Sequence, residues 1–449
     1  MKKALIIFKP KLSKLSQNEG KVLKLLVVAG KLIEPLYLAQ ENHTALGANF
    51  YPPDTTREEV LRAAKKDLQI LSPYTVVERK NGKLVAVPYH QKYSKFLKPI
   101  ADKLNQAAKV TENKEFAQRL QVQAKALLDG TYEEAAVSWM SMKPYILDIN
   151  IGPVERYEDK LFFVKTAYQA WVGVLDKYNT KRINKYKDII LSSRRRVLMP
   201  SEKVDFYDKV QTRVDDVVLF SGLKTRTIAV GTNLPNDVNL MEKYGSEITI
   251  FKQAISHRVE NEVLPAFNKV FSPAFKKTFT KKELEDGYLL SSVLHELAHT
   301  YLRYRNSEKN LKDLFPVIDE LSASVMGIKV CGSLLLKDIM TTKQLESIML
   351  SFMARNFHLV LNEKDNFSRL HYTLGGAIFI NYLLEHGAVK EAGGISWPNF
   401  TKMFVSLDEL ASILERILSQ GTKVDAQEFI KKYADIEKLQ RFNKTNAKS

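Results

Sequence analysis

The 449-residue sequence contains a single cysteine, Cys331, and lacks any apolar run long enough to span a membrane. One thiol cannot close an internal disulfide, which suits a reducing compartment. The longest apolar stretch, residues 23–30, is interrupted by Lys24, whereas a membrane-spanning helix needs about 18 apolar residues. Near the start, the apolar residues 4–8 are fewer than the about 7–15 of a secretory signal. We therefore expect a cytoplasmic protein with no membrane partner.

The composition is that of a folded protein rather than of a disordered or fibrous one. Hydrophobic residues make up 45% and charged residues 27% of the chain, so a large apolar core can form. The 68 Lys and Arg residues exceed the 51 Asp and Glu residues and leave a formal net charge of +17. The densest basic stretch, residues 181–196, contains no recognised nucleic-acid-binding motif. We interpret it as a solvated basic face and predict no nucleic-acid partner.

Local patterns predict an α+β protein that is predominantly helical. Thr56 and Glu59 have the capping-box spacing that starts a helix. Two β-rich runs, residues 74–79 and 83–87, flank an Asn-Gly dipeptide at 81–82, which favours a two-residue hairpin turn. The chain shows no regular alternation of strands and helices of the kind that builds a parallel sheet.

The same patterns predict how the chain is divided. Residues 1–150 form a mixed α/β part, which includes the hairpin at 74–89. Residues 151–442 form a second part, mostly helical after a strand candidate at 225–230, and residues 443–449 form a frayed tail. The second part contains the motif on which the functional prediction depends.

The segment His295-Glu296-Leu297-Ala298-His299 has the spacing H-E-x-x-H within a strongly helical stretch. Positions i and i+4 share a helix face, so His295 and His299 can present two imidazoles to one zinc ion. Glu296 lies about 100° further round the helix, where its carboxylate can reach a water molecule at the metal and act as general base. Random placement of the eight histidines would produce about 0.01 such matches. We therefore predict one bound Zn2+ ion.

A catalytic zinc site usually has a third protein ligand, which must here come from downstream. The metzincin pattern is excluded because Leu302 and Arg305 occupy the positions of its glycine and third histidine. The carboxylates that remain are Glu308, Asp313, Asp319 and Glu320. Glu320 lies in a predicted helix that begins near Pro316, beside small residues that would allow close helix packing. We choose Glu320 as the ligand, with Asp319 as a partner that orients a histidine N–H.

The H-E-x-x-H motif followed by Asp319-Glu320-Leu321-Ser322-Ala323 resembles the dipeptidyl peptidase III family of zinc peptidases. More narrowly, the chain is similar to the shorter members, which are related to the peptidase part of Nudix-fused proteins. Three further segments carry the resemblance, at residues 151–159, 231–236 and 381–387. The resemblance implies two lobes separated by a cleft, with zinc on the helical lobe and an oligopeptide substrate bound across the opening.

The resemblance also implies roles for single residues of this chain. The metal ligands that it implies are His295, His299 and Glu320. The residues that it implies for the free amino end of the peptide are Glu155, Asn233 and Asn236. Glu296 would transfer protons, and Tyr157 would donate a hydrogen bond to the developing oxyanion. A peptidase of this kind releases dipeptides from the N-terminus of its substrate.

The chain departs from the family pattern at three places. The longest-known members insert one residue to give H-E-x-x-G-H, whereas this chain has the five-residue form that the shorter members share. The family also places a histidine near the transition state, and His371 is the nearest match. Counting back from residues 383–385 places Tyr372, not His371, at the position of the family's histidine. His371 and Tyr372 are therefore both candidates for that position. Finally, Ser324 replaces the last carboxylate of the family's acidic motif.

Three functions are compatible with these residues. The first is a metallopeptidase of the dipeptidyl-peptidase type, and the second is a zinc aminopeptidase or oligopeptidase of another specificity. The third is a zinc-bearing binding protein without turnover. Glu296 argues against the third function, because a purely structural zinc site would not need a general base.

Overall fold

The structure, a computed structural model, describes residues 3–12, 14–41, 44–156, 158–197, 209–235, 237–302, 304, 306–366 and 369–443. The strands are β1 (Leu5–Ile7), β2 (Thr75–Lys80), β3 (Lys83–Pro88), β4 (Leu147–Glu155), β5 (Ala167–Leu175), β6 (Val210–Gly222), β7 (Gly231–Leu234), β8 (Ser246–Phe251), β9 (Val389–Ala392) and β10 (Ile395–Pro398). The first helices are α1 (Gln17–Lys31), α2 (Ile33–Gln40), α3 (Arg57–Ala64), α4 (Tyr89–Lys92), α5 (Ser94–Val110), α6 (Lys114–Asp129), α7 (Tyr132–Ser141), α8 (Lys177–Val197), α9 (Lys224–Thr227) and α10 (Val238–Tyr244).

The remaining helices are α11 (Lys252–Arg258), α12 (Leu264–Val270), α13 (Pro273–Lys276), α14 (Lys281–Tyr301), α15 (Ser307–Leu311), α16 (Phe315–Lys329), α17 (Cys331–Leu335), α18 (Thr342–Asn362), α19 (Leu370–Glu385), α20 (Phe400–Gln420) and α21 (Lys423–Tyr433). A π-helical turn at Val259–Val263 joins α11 to α12, and short 3-10 helices lie at Leu68–Leu71, Lys312–Leu314 and Glu437–Asn443. The predicted α+β class, with helix predominating, is confirmed.

The first local predictions agree with the structure, with one difference at a helix start. Strands β2 and β3 pair antiparallel around Asn81, which has a φ of +50°, as a two-residue hairpin turn requires. The Thr56 side chain accepts a hydrogen bond from the Glu59 N–H and so caps α3. The second hydrogen bond of a capping box, from the Thr56 N–H to the Glu59 carboxylate, is absent from α3. The Glu59 carboxylate pairs instead with Arg79 at 2.6 Å.

The strand predicted at residues 225–230 is wrong. Residues 224–227 form the single turn of α9. The strand in this region, β7, begins at Gly231, one residue after the predicted strand ends. The β-branched residues at 225, 227 and 228 favour a strand only where neighbouring strands can pack on them. Among the described residues, six strands form the largest sheet, in the order β4-β5-β6-β8-β7 with β1 paired to β6.

The chain divides into two compact units, each built from separate segments. Unit 1 comprises Met1–Lys177, Arg213–Ala229 and Leu234–Glu247. Unit 2 comprises Tyr178–Thr212, Val230–Asn233 and Ile248–Ser449. None of the described helices has the length and apolar character that crossing a membrane requires.

Unit 1 has an apolar core between its helices and its antiparallel strands. Helix α5 packs against α1 and α6, while α1 and α2 cover β5. All nine residues of β5 are buried for this reason. A buried ion cluster lies in the same unit and consists of Arg119, Asp148, Arg213, Asp215 and Glu247. Its closest ion pairs join Arg119 to Asp148 and Arg213 to Asp215, both at 2.7 Å.

The ion cluster holds two guanidinium groups and three carboxyl groups, and the buried carboxylate of Asp216 adds to the negative charge that acts on Asp215. Burial raises the pKa of Glu247 to about 8, although the charge of Arg213 opposes the shift. Burial also raises the pKa of Asp215, to about 6. The unit therefore carries a titrating group within its core.

Unit 2 is a helical assembly built around α14. Helix α14 packs against α16 and α18, and α16 also contacts α19 and α20. The contact between α14 and α16 is close, because a Cβ at Gly327 would lie 3.0 Å from the backbone carbon of Leu294. A small residue at this crossing lets the two helix backbones approach each other. The metal motif lies on α14 beside this crossing.

Candidate metal centre

Helix α14 carries the H-E-x-x-H motif in its last two turns. Thr280 caps its N-terminus and forms a capping box with Glu283, which satisfies two N–H groups. The apolar side chains that bury the helix are Leu284, Leu290, Val293, Leu294 and Leu297. His295, Glu296 and His299 are half-buried. The motif is therefore on a capped, largely buried helix, with its polar groups gathered near the C-terminal end.

Helix α16 supplies the predicted third ligand. Pro316 lies in its first turn, where the missing N–H of proline costs no hydrogen bond. Glu320 follows one turn later and lies opposite the motif. Its Oε2 is 3.2 Å from Nε2 of His295 and 3.8 Å from Nε2 of His299. The two histidine Nε2 atoms are themselves 3.2 Å apart.

These distances suit a metal ion. Ligand atoms placed about 2.0–2.1 Å from a tetrahedral zinc ion lie about 3.3–3.4 Å from one another. Among the described residues, His295, His299 and Glu320 form a group whose ligand atoms all lie within 4.8 Å of one another. Two imidazoles and one carboxylate are also the donor set of many catalytic zinc sites. The structure thus brings the three predicted ligands together in an arrangement that fits the ion.

The electrostatics of the group favour a positive charge. Burial alone would lower the pKa of the His299 imidazole, but the carboxylates of Asp319 and Glu320 raise it to about 9. Burial would raise the pKa of Glu320, but the neighbouring imidazoles of His295 and His299 hold it well below its usual range. The pocket between these side chains therefore stabilises a cation.

Each histidine has a second contact through its other ring nitrogen. Nδ1 of His299 lies 3.5 Å from Oδ2 of Asp319, the residue predicted to orient a histidine. Nδ1 of His295 lies 2.9 Å from Oγ of Ser324. The sequence predicts Ser324 as a small residue beside Glu320 and as the replacement of a family carboxylate, but not as a partner of His295. Its i+4 spacing from Glu320 was a signal that could have found it, because both side chains share one face of α16.

Residues 231–233 of strand β7, which belong to the same unit, lie beside Glu296. Nδ2 of Asn233 donates a hydrogen bond to the backbone carbonyl of Glu296 at 3.4 Å. A Cβ at Gly231 would lie 3.3 Å from Oε1 of Glu296, so the strand approaches the carboxylate closely. Asn233 and Glu296 are thus adjacent, and Gly231 is a neighbour of the predicted general base that sequence reasoning did not single out.

Both candidates for the later-helix position lie at the start of α19. His371 is half-buried, whereas Tyr372 is 41% exposed, and their ring centroids are 4.2 Å apart. Burial lowers the pKa of His371, and the Glu320 carboxylate opposes that shift. The carboxylate of Glu320, the predicted third ligand, therefore acts electrostatically on His371.

The other sequence candidates fall elsewhere. Glu155 ends β4 in unit 1, where it is buried and its Oε1 lies 4.0 Å from Nζ of Lys224. Tyr157 and Asn236 lie outside the described residues. Glu308 is exposed on α15. Asp313 pairs with Lys423 at 2.6 Å, so neither of these two carboxylates belongs to the group.

Comparison with known proteins points to one family. The sequence model of Peptidase family M49 matches residues 49–299, more than half of the chain. Nudix hydrolase 3 from Arabidopsis thaliana is 24% identical over an alignment of 431 positions, which covers 87% of this chain and 54% of the plant protein. The chain thus spans about half the length of this curated relative, whose name agrees with the predicted similarity to Nudix-fused proteins.

Two solved structures share the fold. DPP III from Caldithrix abyssi superposes with a TM-score of 0.86 and 25% identity, over 95% of this chain and 92% of that chain. Dipeptidyl-peptidase III from Corallococcus sp. strain EGB superposes with a TM-score of 0.80 and 23% identity, over 97% and 92%. The resemblance drawn from the motifs is confirmed, and the chain belongs to Peptidase family M49, the dipeptidyl peptidase III family.

Proposed function

We propose that this chain is a zinc-dependent peptidase that hydrolyses oligopeptides and releases dipeptides from their N-termini. The observation that supports the proposal most is the convergence of His295, His299 and Glu320 within 4.8 Å, with Glu296 on the same helix as the two histidines. Membership of Peptidase family M49 supports the class of reaction. The names of the two structural relatives support the release of dipeptides.

In this proposal His295, His299 and Glu320 would hold one Zn2+ ion, since their Nε2, Nε2 and Oε2 atoms lie within 3.8 Å of one another. When bound, zinc polarises the scissile carbonyl and makes water more acidic. Glu296 accepts the proton of the attacking water and delivers it to the leaving amine. Asp319 accepts from the N–H of His299 and keeps that ring in place, since its carboxylate lies 3.5 Å from Nδ1.

The hydrogen-bond donors that would stabilise the developing oxyanion come from segments of the chain outside α14 and α16. Tyr157 would donate its phenolic O–H to the oxyanion, where a fixed donor stabilises charge more than solvent does. His371 or its neighbour Tyr372 would add a second donor near the transition state. The influence of Glu320 on the pKa of His371 favours His371 for this role.

Selection of the peptide's amino end would depend on Glu155, Asn233 and Asn236. A carboxylate attracts the terminal ammonium group, and amide oxygens accept hydrogen bonds from its N–H groups. Oδ1 of Asn233 is buried and has no hydrogen-bond partner among the described residues, so it can accept from a substrate. The same residue donates to the Glu296 carbonyl, which would link binding of the amino end to the general base.

We also propose that the protein acts on oligopeptides in the cytoplasm and takes no nucleic-acid partner, despite its net charge of +17. The basic excess is consistent with a solvated surface.

A direct experiment combines metal content with substrate length. The zinc content of the purified protein is measured, and hydrolysis of dipeptidyl-arylamides is compared with hydrolysis of single-residue arylamides. One zinc per chain with faster release of dipeptides supports the proposal. Faster release of single residues would indicate an aminopeptidase, and bound zinc without hydrolysis of either substrate or of longer peptides would indicate a binding protein.

A further inference from the structure

The hydroxyl of Ser324 joins the two helices that carry the metal ligands. Its Oγ lies 2.9 Å from Nδ1 of His295 on α14. The same Oγ lies 3.1 Å from the backbone carbonyl oxygen of Glu320, one turn earlier on α16. The Ser324 hydroxyl thus contacts the imidazole ring of one proposed ligand, His295, and the main-chain carbonyl of another, Glu320.

The hydrogen bonds of this group have one consistent arrangement. A serine hydroxyl has a single proton, and the carbonyl of Glu320 can only accept, so the hydroxyl donates to that carbonyl. The oxygen then accepts from Nδ1 of His295, which must carry the ring proton. In a neutral imidazole a proton on Nδ1 leaves the lone pair on Nε2. That Nε2 is the atom that faces Glu320 and His299.

The two histidines are therefore held by different kinds of acceptor. His299 faces the carboxylate of Asp319 at 3.5 Å, whereas His295 faces a neutral hydroxyl at 2.9 Å. A carboxylate would add a negative charge beside the metal ligands, and a hydroxyl adds none. Ser324 can hold the ring of His295 without changing the charge of the group.

We propose that Ser324 is a positioning residue that selects the Nδ1–H form of His295 and so presents its Nε2 to the metal. The inference rests on the proposed zinc site. It concerns the affinity of that site for zinc rather than any step of peptide hydrolysis. Partners of metal-bound histidines typically change metal affinity by about 10–100-fold when they are removed.

Ser322 provides a matched control on the same helix. Ser322 is buried whereas Ser324 is half-buried, and the Ser322 hydroxyl donates to the carbonyl of Ile318, one turn earlier, at 2.5 Å. Replacing either serine by alanine removes the same kind of hydrogen bond to the helix backbone. Only the replacement of Ser324 also removes a contact to a proposed ligand.

The experiment measures the zinc dissociation constant of the full chain by competition with a chromophoric chelator, for the parent and three variants. We expect Ser324→Ala to weaken zinc binding by about 10–100-fold. Ser322→Ala should bind like the parent, and Ser324→Thr, which keeps a hydroxyl, should bind like the parent as well. Thermal unfolding of the metal-free proteins checks that each variant is folded.

The outcomes separate this inference from the proposed function. If the parent binds zinc tightly and Ser324→Ala binds it as well as Ser322→Ala does, the role of Ser324 is wrong and the zinc site stands. If Ser324→Thr binds as weakly as Ser324→Ala, the hydroxyl is not the responsible group and the inference also fails. If the parent binds no zinc, or if His295→Ala binds it as tightly as the parent, both the site and the inference are wrong.

Discussion

Oε2 of Glu320 lies 3.2 Å from Nε2 of His295, although the two residues belong to different helices. The crossing of α14 and α16 makes this contact possible, because Gly327 lets the helix backbones approach at Leu294. Glu320 therefore depends on helix packing for its position, whereas the two histidines depend only on their spacing along α14.

Glu296→Gln is expected to retain zinc and lose hydrolysis. Glutamine keeps the shape of the side chain but cannot accept a proton from water, so kcat should fall by at least about 10²-fold. Zinc content and the rate of dipeptidyl-arylamide hydrolysis are measured on the same preparation. Glu308→Gln, at an exposed position on α15, serves as the control. A Glu296→Gln protein that cleaves like the parent would refute the assigned mechanism.

Glu320→Ala is expected to lose the metal. Removing the carboxylate leaves two imidazoles and removes the negative charge that stabilises a cation between them. Glu308→Ala should keep its zinc, because Glu308 is exposed and lies outside the ligand group. Elemental analysis after dialysis distinguishes the two variants. Equal metal content in both would remove Glu320 from the site.

Glu262→Gln is expected to destabilise unit 2. Oε2 of Glu262, in the π-helical turn, lies 2.7 Å from Nε of the buried Arg355, and Arg258 and Arg369 lie within 4 Å of the same carboxylate. Removing its charge takes away the ion-pair partner 2.7 Å from the buried guanidinium of Arg355, and breaking a buried pair typically costs about 3–5 kcal/mol. Chemical denaturation measures the loss.

The control for this prediction lies in the same turn. Glu260 pairs with Lys281 at 2.6 Å, and both side chains are more than half exposed. Glu260→Gln should therefore leave the unfolding transition nearly unchanged. If the two variants unfold at the same denaturant concentration, the carboxylate of Glu262 has no special role in stability.

Glu247→Gln is expected to change how the stability of unit 1 depends on pH. Burial raises the pKa of Glu247 from the usual 4.5 to about 8 in the folded protein. The folded state therefore binds the proton more tightly than the unfolded state does. This stabilisation is complete below pH 4.5 and is lost as the pH rises through 8. The loss amounts to about 1.4 kcal/mol for each pH unit in that window.

Glutamine resembles the protonated carboxyl and does not titrate, so the variant should gain stability relative to the parent as the pH rises from 5 to 8. Unfolding free energies of both proteins at several pH values test this expectation. A constant difference between them would show that Glu247 does not titrate in this range. Glu260→Gln, which removes an exposed carboxylate of unit 2, should follow the parent.

Local sequence signals predicted the elements whose structure depends on near neighbours. The Asn-Gly turn between β2 and β3, the cap of α3 and the first turn of α16 around Pro316 are of this kind. The segment at 225–230 was mispredicted because a strand needs partners that the local sequence does not name. Strand β5 shows the same limit, since its continuous burial comes from helices α1 and α2 far away in the chain.

The candidate site divides in the same way. By itself, the sequence determined that His295 and His299 share a helix face with Glu296 beside them, because the turn of an α-helix places positions i and i+4 together. Only the tertiary structure decided that Glu320 meets the histidines while Glu308 does not, and that Ser324 faces Nδ1 of His295. The physical reason is that contacts between helices depend on their crossing and on small residues such as Gly327, which spacing along one helix does not reveal.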